Sequence, residues 1–323
     1  MSIVERALQK AQSKAKSGPA PASADAATPS FSSAAVEPSP ASPPPRAPAA
    51  RSTQEPVDTS LTERDLKPII QLDPARLRQS GRLPPPDLAH QTEDEIRRIK
   101  WPLLSAITGR DGATKVRSNV ILVTSALPGE GKTFTSLNLA LSIVRDRELR
   151  VILVDGDVAR PGLTPTLGLE GRPGLNDVLE DVGRDVNSVT YQTDVEGLFF
   201  VPAGKWHEHA PEFFAGSRMP QVIEELSQRV GNGVIIIDSP PLLATNEAQV
   251  VTRYVGQVVL VVRADDTEQR AVKDALALVD KATPVSAVLN RVKASALSRY
   301  YGQYYYGYGY GYGRRERPEK GDA

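Results

Sequence analysis

The sequence predicts an α/β fold in which a doubly wound, mostly parallel sheet carries helices on both faces. Six short runs rich in Val, Ile and Leu have the length of strands and are apolar on both sides, as strands covered by two helical layers must be. Amphipathic helical patterns separate many of these runs, and strands joined through helices require crossover connections. Polar motifs directly follow several runs, and ligands of such sheets bind beyond the carboxyl ends of the strands.

The predicted elements follow one another along the middle of the chain. The strands are 120–124, 151–154, 198–201, 234–237, 258–262 and 285–289, and the helices between them are 133–147, 218–230, 247–254 and 268–281. A further helix is predicted over 92–109, because Thr92 can cap it and acidic residues follow in the first turn. Pro102 is expected to kink or divide that helix.

The composition excludes several classes of function. The 323 residues include 39 basic and 39 acidic side chains, so the net charge gives no reason to expect a nucleic-acid partner. The sequence has no Cys, which excludes a disulfide framework and a Cys nucleophile, and its three His argue against a His-rich metal site. No apolar run approaches the roughly 20 residues that cross a bilayer, and the charged N-terminus is unlike a secretory signal. We expect a cytoplasmic protein that is peripheral at the inner face of the membrane through a partner.

Composition also divides the chain into four segments. Residues 1–16 are predicted to be an amphipathic docking helix or a frayed terminus, since an isolated helix this short is marginal in water. Residues 17–90, rich in Pro, Ala and Ser, are predicted to be a disordered linker. Residues 91–293 form the predicted folded domain. Residues 294–323 form a tail that holds eight of the ten Tyr.

The first predicted strand leads into a glycine-rich loop with the spacing of a P-loop, and a predicted helix follows. Gly129 and Gly131 allow the backbone N–H groups to point at phosphate oxygens. Lys132 is placed to reach the β- and γ-phosphates, and the Thr133 hydroxyl suits Mg²⁺. The motif predicts binding of ATP and Mg²⁺ by a cradle made of Pro128, Gly129, Glu130, Gly131, Lys132, Thr133 and Phe134.

Carboxylates follow two further strands. Asp155 and Asp157 come directly after the second strand, where one can anchor Mg²⁺ and its waters while the other takes a proton; the sequence leaves open which does which. As an Asp-Gly-Asp triplet alone they would also suit a turn. Asp238 ends an apolar strand in the manner of a Walker B carboxylate that faces Mg²⁺. Asn290 ends the last strand, where it is either a reader of the adenine edge or a turn residue.

The C-terminal tail alternates Tyr and Gly, a pattern that forms no core. Three interpretations compete: a low-complexity adhesive segment, a stacking platform for single-stranded nucleic acid, or a set of exposed phosphate acceptors. The P-loop in the same chain favours the third. The candidate acceptors are Tyr300, Tyr301, Tyr304, Tyr305, Tyr306, Tyr308, Tyr310 and Tyr312.

Taken together, these motifs resemble those of the bacterial tyrosine kinases of polysaccharide synthesis and export. The resemblance rests on 128–133, 154–161, 237–241 and the tyrosine cluster, all in the family's order. The opening residues and 95–104 are similar to the exosortase-associated branch, whose genes lie in exopolysaccharide loci. The resemblance implies an ATP-dependent autokinase in which Lys132, Asp155, Asp157 and Asp238 serve catalysis and Thr133, Asp155 and Asp238 hold Mg²⁺.

The resemblance also implies partners. The kinase would phosphorylate its tail in trans within a ring of subunits. A membrane-spanning polysaccharide co-polymerase on a separate chain would activate it, and a protein tyrosine phosphatase would remove the phosphates from the tail. Asp94, Arg97 and Lys100 match the family's ring-forming helix motif only loosely. Phe134 replaces the hydroxyl residue common after the P-loop Thr.

Two other functions share some of these features. A Min- or Par-type ATPase has the same fold and motif order, but such proteins carry a Lys early in the P-loop where this chain has Leu127. A scaffold whose nucleotide site controls assembly would also hydrolyse ATP without phosphorylating tyrosine.

Overall fold

A computed structural model describes residues 67–107, 117–146 and 148–293. The predicted docking helix 1–16 and the tyrosine-rich tail 294–323 lie outside the described residues. Within the described ranges, no helix has both the length and the apolar character needed to cross a bilayer.

A seven-stranded sheet forms the centre of the described part, in the order β3-β4-β2-β5-β1-β6-β7. Every neighbouring pair is parallel except β3 and β4, which are antiparallel. The strands are β1 Val120–Ser125, β2 Val151–Asp155, β3 Tyr191–Gln192, β4 Leu198–Val201, β5 Val234–Asp238, β6 Gln257–Arg263 and β7 Val285–Asn290. The predicted parallel α/β sheet is therefore confirmed.

Helices cover both faces of this sheet. They are α1 Pro74–Gln79, α2 Ala89–Ile107, α3 Lys132–Val144, α4 Leu175–Glu180, α5 Ala210–Ala215, α6 Arg218–Val230, α7 Asn246–Val251 and α8 Gln269–Leu278, with short 3₁₀ turns at Pro86–Leu88 and Val186–Val189. Successive residues of a strand belong to different hydrophobic clusters, as Ile121 and Leu122 do. Because side chains alternate across a strand, the two clusters lie on opposite faces of the sheet.

The elements predicted from the sequence are largely where the patterns put them. All six predicted strands and the four predicted helices between them are present, with ends that differ by a few residues. The helix predicted over 92–109 begins at Ala89 instead, so Thr92 is not its cap, and Pro102 lies inside it without dividing it. The two-residue β3 and the six-residue helices α1, α4 and α5 were not predicted.

The predicted disordered linker over 17–90 is wrong for residues 67–90. Residues 67–88, which we call the strap, begin against the sheet edge formed by β3. Ile70 forms a parallel bridge with Thr193, donating to Gln192 O and accepting from Asp194 N, both at 2.9 Å. Leu77 in α1 is 2% exposed and packs in the cluster that contains Ile121. The strap is ordered because its few apolar residues are buried by distant parts of the chain.

A short capped helix gives the strap its local shape. The Asp73 carboxylate accepts from Ala75 N at 2.8 Å, and Pro74 occupies the first position of α1, where its missing N–H costs nothing. Gly81 then turns the chain with φ of 68°. This turn directs the following residues toward the carboxyl ends of the parallel strands.

Candidate active site

The glycine-rich loop between β1 and α3 has the backbone shape that phosphate binding requires. Gly129 and Gly131 have φ of 81° and 100°, a region that other residues rarely adopt. Helix α3 begins at Lys132, directly after Gly131, so its unpaired N–H groups and its positive end lie at the loop. A side chain at Gly131 would overlap the amide of Asn290. The loop is therefore a preformed cradle for an anion.

Glu130 fixes the loop instead of facing the cleft. Its side chain is 2% exposed, and Oε2 accepts from Leu127 N at 2.7 Å. Its Oε1 accepts from Arg263 N at 3.3 Å and from the Thr267 hydroxyl. The carboxylate thus ties the loop to the segment after β6, and the backbone of Glu130 remains as its predicted contribution to the cradle.

Two buried carboxylates lie side by side at the same edge of the sheet. Asp155 ends β2, Asp238 ends β5, and the two are register partners in the parallel ladder. Asp155 Oδ2 accepts from Leu163 N, Thr164 N and Thr164 Oγ1 at 2.8–3.0 Å. Its Oδ1 is buried and has no partner among the described residues. Burial raises the pKa of the Asp155 carboxyl.

Asp238 joins this pair to the first turn of α3. Its carboxylate accepts from Ser136 Oγ at 3.1 Å and from the Thr133 hydroxyl. Burial, followed by the negative charge of Asp155, raises the pKa of Asp238 to about 7. Two carboxylates that destabilise each other's charge in a dry site are stabilised when a cation binds between them.

This oxygen set fits Mg²⁺. The unpartnered Asp155 Oδ1, the Asp238 carboxylate and the Thr133 hydroxyl would hold it. No group of three or more His, Cys, Asp or Glu that could hold a metal occurs in the described part of the chain. Two carboxylates and a hydroxyl are sufficient for Mg²⁺, because proteins usually bind it through one or two carboxylates together with waters and substrate phosphates.

Asp157 differs from Asp155 in its surroundings. It lines the open cleft, and its Oδ1 accepts from Arg160 N at 3.1 Å. Burial raises the pKa of Asp157, while the nearby Lys132 ammonium opposes that rise. The structure therefore brings Asp157 and Lys132 together in the cleft, whereas Asp155 has no solvent exposure.

The cleft at this edge has a volume of about 780 Å³, enough for a nucleotide. The predicted cradle except Glu130 lines it, as do residues that the motifs did not indicate. These are Thr92, Gly162, Ala244, Thr245, Arg291, and the strap from Gly81 to Pro85 together with Leu88. Arg82 is the charged member of the strap lining, and the local sequence around it carries no recognised motif.

Asn290 lies against the loop. Its Nδ2 donates to Glu130 O at 2.8 Å, and its Oδ1 accepts from Arg291 N at 2.8 Å. The side chain lines the cleft with both ends of its amide engaged within the chain. Recognition of the adenine edge by Asn290 stays a prediction.

The loosely matched ring-helix residues have different surroundings. Arg97 pairs with Asp94 at 3.3 Å on the exposed side of α2. Lys100 is 7% exposed and donates to Ser142 O at 3.1 Å and to Asp146 Oδ2 at 3.0 Å. Lys100 therefore joins α2 to α3 inside one chain. The predicted acceptor tyrosines lie outside the described residues.

This is the site of a P-loop nucleotide-binding protein: a phosphate cradle and a pair of carboxylates lie at the same edge of a parallel sheet. A family model described as "ParA: NUBPL iron-transfer P-loop NTPase" matches residues 116–303. CapB of Staphylococcus aureus, named a putative tyrosine-protein kinase, is 31% identical over 194 residues, which cover 58% of this chain and 80% of CapB.

Two further proteins extend the comparison. The tyrosine-protein kinase ptk of Acinetobacter johnsonii is 28% identical over 157 residues, which cover 49% of this chain but 21% of the length of ptk. The BceF tyrosine kinase domain has a solved structure with a TM-score of 0.53 and 28% identity, covering 66% of this chain and 86% of that domain. The chain belongs to the ParA-type P-loop NTPases and, within them, to the bacterial tyrosine kinases.

Proposed function

We propose that the chain is an ATP-dependent protein tyrosine autokinase that transfers the γ-phosphoryl group of ATP to its own C-terminal tyrosines. The observation that supports this most is that the three carboxylates of the site have different surroundings. Asp155 and Asp238 are buried beside Thr133, where they suit a cation, and Asp157 faces the cleft beside Lys132. A site of this kind provides both charge stabilisation and a base.

Each side chain then has a stated task. Lys132 and the loop N–H groups bind the β- and γ-phosphates and stabilise the charge that develops during transfer. Asp157 takes the phenolic proton as the tyrosine oxygen forms its bond to the γ-phosphorus, while the bond from that phosphorus to the bridging oxygen breaks and ADP leaves. Bound Mg²⁺ supplies neutralisation of phosphate charge.

Asp157 is the base in this proposal, and Asp155 is not. Oδ2 of Asp155 already accepts three hydrogen bonds, and the whole side chain is sealed from solvent. Burial raises the pKa of Asp157, which brings it closer to the pKa of the tyrosine phenol that gives up the proton. It also lies in the cleft, where an incoming phenol can reach it.

The proposed kinase acts within an oligomer and together with partner proteins. Transfer occurs in trans within a homo-oligomeric ring, a membrane-spanning polysaccharide co-polymerase on a separate chain recruits and activates the kinase, and a protein tyrosine phosphatase reverses the reaction. Each phosphate adds about −1.5 to −2 charges, so phosphorylated tails repel one another and loosen the assembly. The output would be control of exopolysaccharide synthesis or export.

The test is incubation of the purified chain with ATP and Mg²⁺, followed by intact mass measurement and phosphotyrosine detection. Phosphate should accumulate on the tail of the wild type and be absent from Lys132→Met. A variant with all eight tail tyrosines changed to Phe should bind ATP but lose most phosphotyrosine. ATP hydrolysis with an unmodified tail would instead support the Min- or Par-type switch.

A mixing experiment tests transfer in trans. The eight-Phe variant keeps the catalytic residues, and Lys132→Met keeps the tail. Phosphotyrosine on the Lys132→Met chain in the mixture supports transfer between chains. If neither chain is labelled while the wild type alone is, transfer within one chain is the better account.

A further inference from the structure

The end of the strap enters the cleft beside the phosphate cradle. Gly81 through Pro85 line the cleft, and Arg82 carries the charge in this stretch. The strap precedes the P-loop by about 50 residues in the sequence, so no local motif links the two. Their proximity is a property of the fold.

The backbone of Arg82 is fixed on both sides. Its N–H donates to Leu77 O at 2.7 Å, and Leu77 is buried in the core. Its carbonyl accepts from Asn138 Nδ2 at 2.8 Å, and the same amide donates to Phe134 O at 2.7 Å in the first turn of α3. Arg82 is thus held directly against the helix that begins at the phosphate cradle.

The guanidinium of Arg82 and the Thr133 hydroxyl both lie next to Gly162. A Cβ built on Gly162 would lie 3.4 Å from Arg82 Nη2 and 2.8 Å from Thr133 Oγ1, so the two polar groups flank the same glycine. Nη2 donates to Gly162 O at 3.2 Å. A side chain at position 162 would clash with the Thr133 hydroxyl and would touch the guanidinium.

The Arg82 guanidinium has hydrogen-bond donors that are not all used within the described residues. Its Nε is buried without a hydrogen-bond partner, and the described residues provide no carboxylate within ion-pair distance of it. An Arg presents five donors in a planar fork, which matches the oxygens of a phosphate group. A cation placed beside Thr133 and lining a nucleotide-sized cleft is positioned for a terminal phosphate.

We propose that Arg82 is a second phosphate-binding cation of this site, contacting the γ-phosphate from the strap as Lys132 does from the P-loop. The inference rests on the proposed function, because it needs ATP in the cleft. It also gives the strap a role: its docking on the sheet edge completes the nucleotide site. A chain with a detached strap would keep the P-loop but lose this contact.

The experiment measures nucleotide affinity, which does not depend on tyrosine transfer. The full chain is titrated with the non-hydrolysable analogue AMPPNP and separately with ADP, both in the presence of Mg²⁺. Arg82→Ala should weaken AMPPNP binding by about 10- to 100-fold and ADP binding by less than about 3-fold, since only the former has a γ-phosphate. Arg82→Lys should retain part of the affinity.

Arg78→Ala is the matched control, because Arg78 is an exposed residue of the same strap. It should bind both nucleotides as the wild type does. Equal binding of AMPPNP by wild type and Arg82→Ala, or equal losses for AMPPNP and ADP, would overturn the proposal. A wild type that binds no AMPPNP would overturn it as well.

The outcome separates this inference from the proposed function. Wild type that binds AMPPNP and depends on Arg82, but never phosphorylates its tail, would contradict the kinase and support the Arg82 contact. Thermal unfolding of each variant without nucleotide shows whether the strap remains folded. An Arg82→Ala chain as stable as wild type ties the affinity loss to the guanidinium.

Discussion

The P-loop and the strap line the same cleft, but they owe their positions to different kinds of interaction. The P-loop takes its shape locally, from two glycines with positive φ and a helix that begins at Lys132. The strap is positioned by contacts far along the chain, such as the bridge from Ile70 to Thr193 and the bond from Asn138 to Arg82. The P-loop can therefore be recognised in the sequence as a motif, whereas the position of the strap depends on tertiary packing.

This difference predicts how each region responds to mutation. Changes in the motif carboxylates should alter chemistry more than folding. Changes in the buried side of the strap should lower the stability of the fold, and nucleotide binding should weaken as a consequence.

Asp157→Asn should lower tyrosine phosphorylation by about 100- to 10,000-fold, the range that a general base contributes. Binding of AMPPNP should change by less than about 3-fold, because Lys132 and the loop remain. The measurement is the initial rate of autophosphorylation beside an affinity titration. Asp274→Asn, a change on the exposed side of α8, serves as the control.

A different outcome would move the base to the other carboxylate. If Asp157→Asn keeps more than a tenth of the wild-type rate, Asp157 is not the proton acceptor. The assignment that the sequence left open between Asp155 and Asp157 would then have to be reversed.

Leu77→Ala should lower the free energy of unfolding by about 2–5 kcal/mol, since it removes a buried side chain from the strap and leaves a cavity. Ile69 is 54% exposed in the same strap, so Ile69→Ala should cost less than about 0.5 kcal/mol. Urea unfolding measures both. Equal stability of the two variants would show that the strap does not pack on the sheet edge.

The sequence predicts the parallel sheet and the central motifs because their signals are local. The strands β1, β2 and β5 each begin with four consecutive aliphatic residues and are fully buried. Strands of one parallel sheet end at one edge, so Asp155 and Asp238 could be placed near each other before the register was known.

The strap was missed because composition dominated its interpretation. The three consecutive prolines before α2 favour a linker, whereas the burial of Ile70, Leu72 and Leu77 depends on partners about 50 to 120 residues away. Lys100 has the same explanation: its spacing resembles a surface motif, but in the fold it is buried and bonds to Ser142 in α3 and to Asp146 just after it.

Asp238→Asn should stabilise the chain in metal-free, nucleotide-free buffer at pH 8. The pKa of Asp238 is about 7 in the folded state, against an ordinary value of 3.8. The folded state therefore binds the proton more tightly, and the free energy of unfolding falls as the pH rises from about 4 to about 7. Asn avoids that loss, so we expect a gain of about 2 kcal/mol, less than the roughly 4 kcal/mol of the full pKa difference because the amide also loses acceptors.

The gain should be present at pH 8 and largely lost at pH 4, where the folded carboxyl is protonated and the unfolded carboxyl, with its ordinary pKa of 3.8, is only partly ionised. Thermal unfolding at the two pH values measures it. Glu208→Gln, at a side chain that is 81% exposed, is the control and should show no such pH dependence. A variant that is less stable than wild type at pH 8 would contradict the unfavourable burial of the Asp238 charge.

The most direct measurement of the central claim follows labelled phosphate from nucleotide to tail. The chain is incubated with Mg²⁺ and ATP labelled either on the γ- or on the α-phosphoryl group, and its peptides are then mapped. Label from the γ-position should appear on tyrosines of the C-terminal segment in wild type, with none from the α-position and none in Lys132→Met. An unlabelled tail in a chain that binds and hydrolyses ATP would contradict the account.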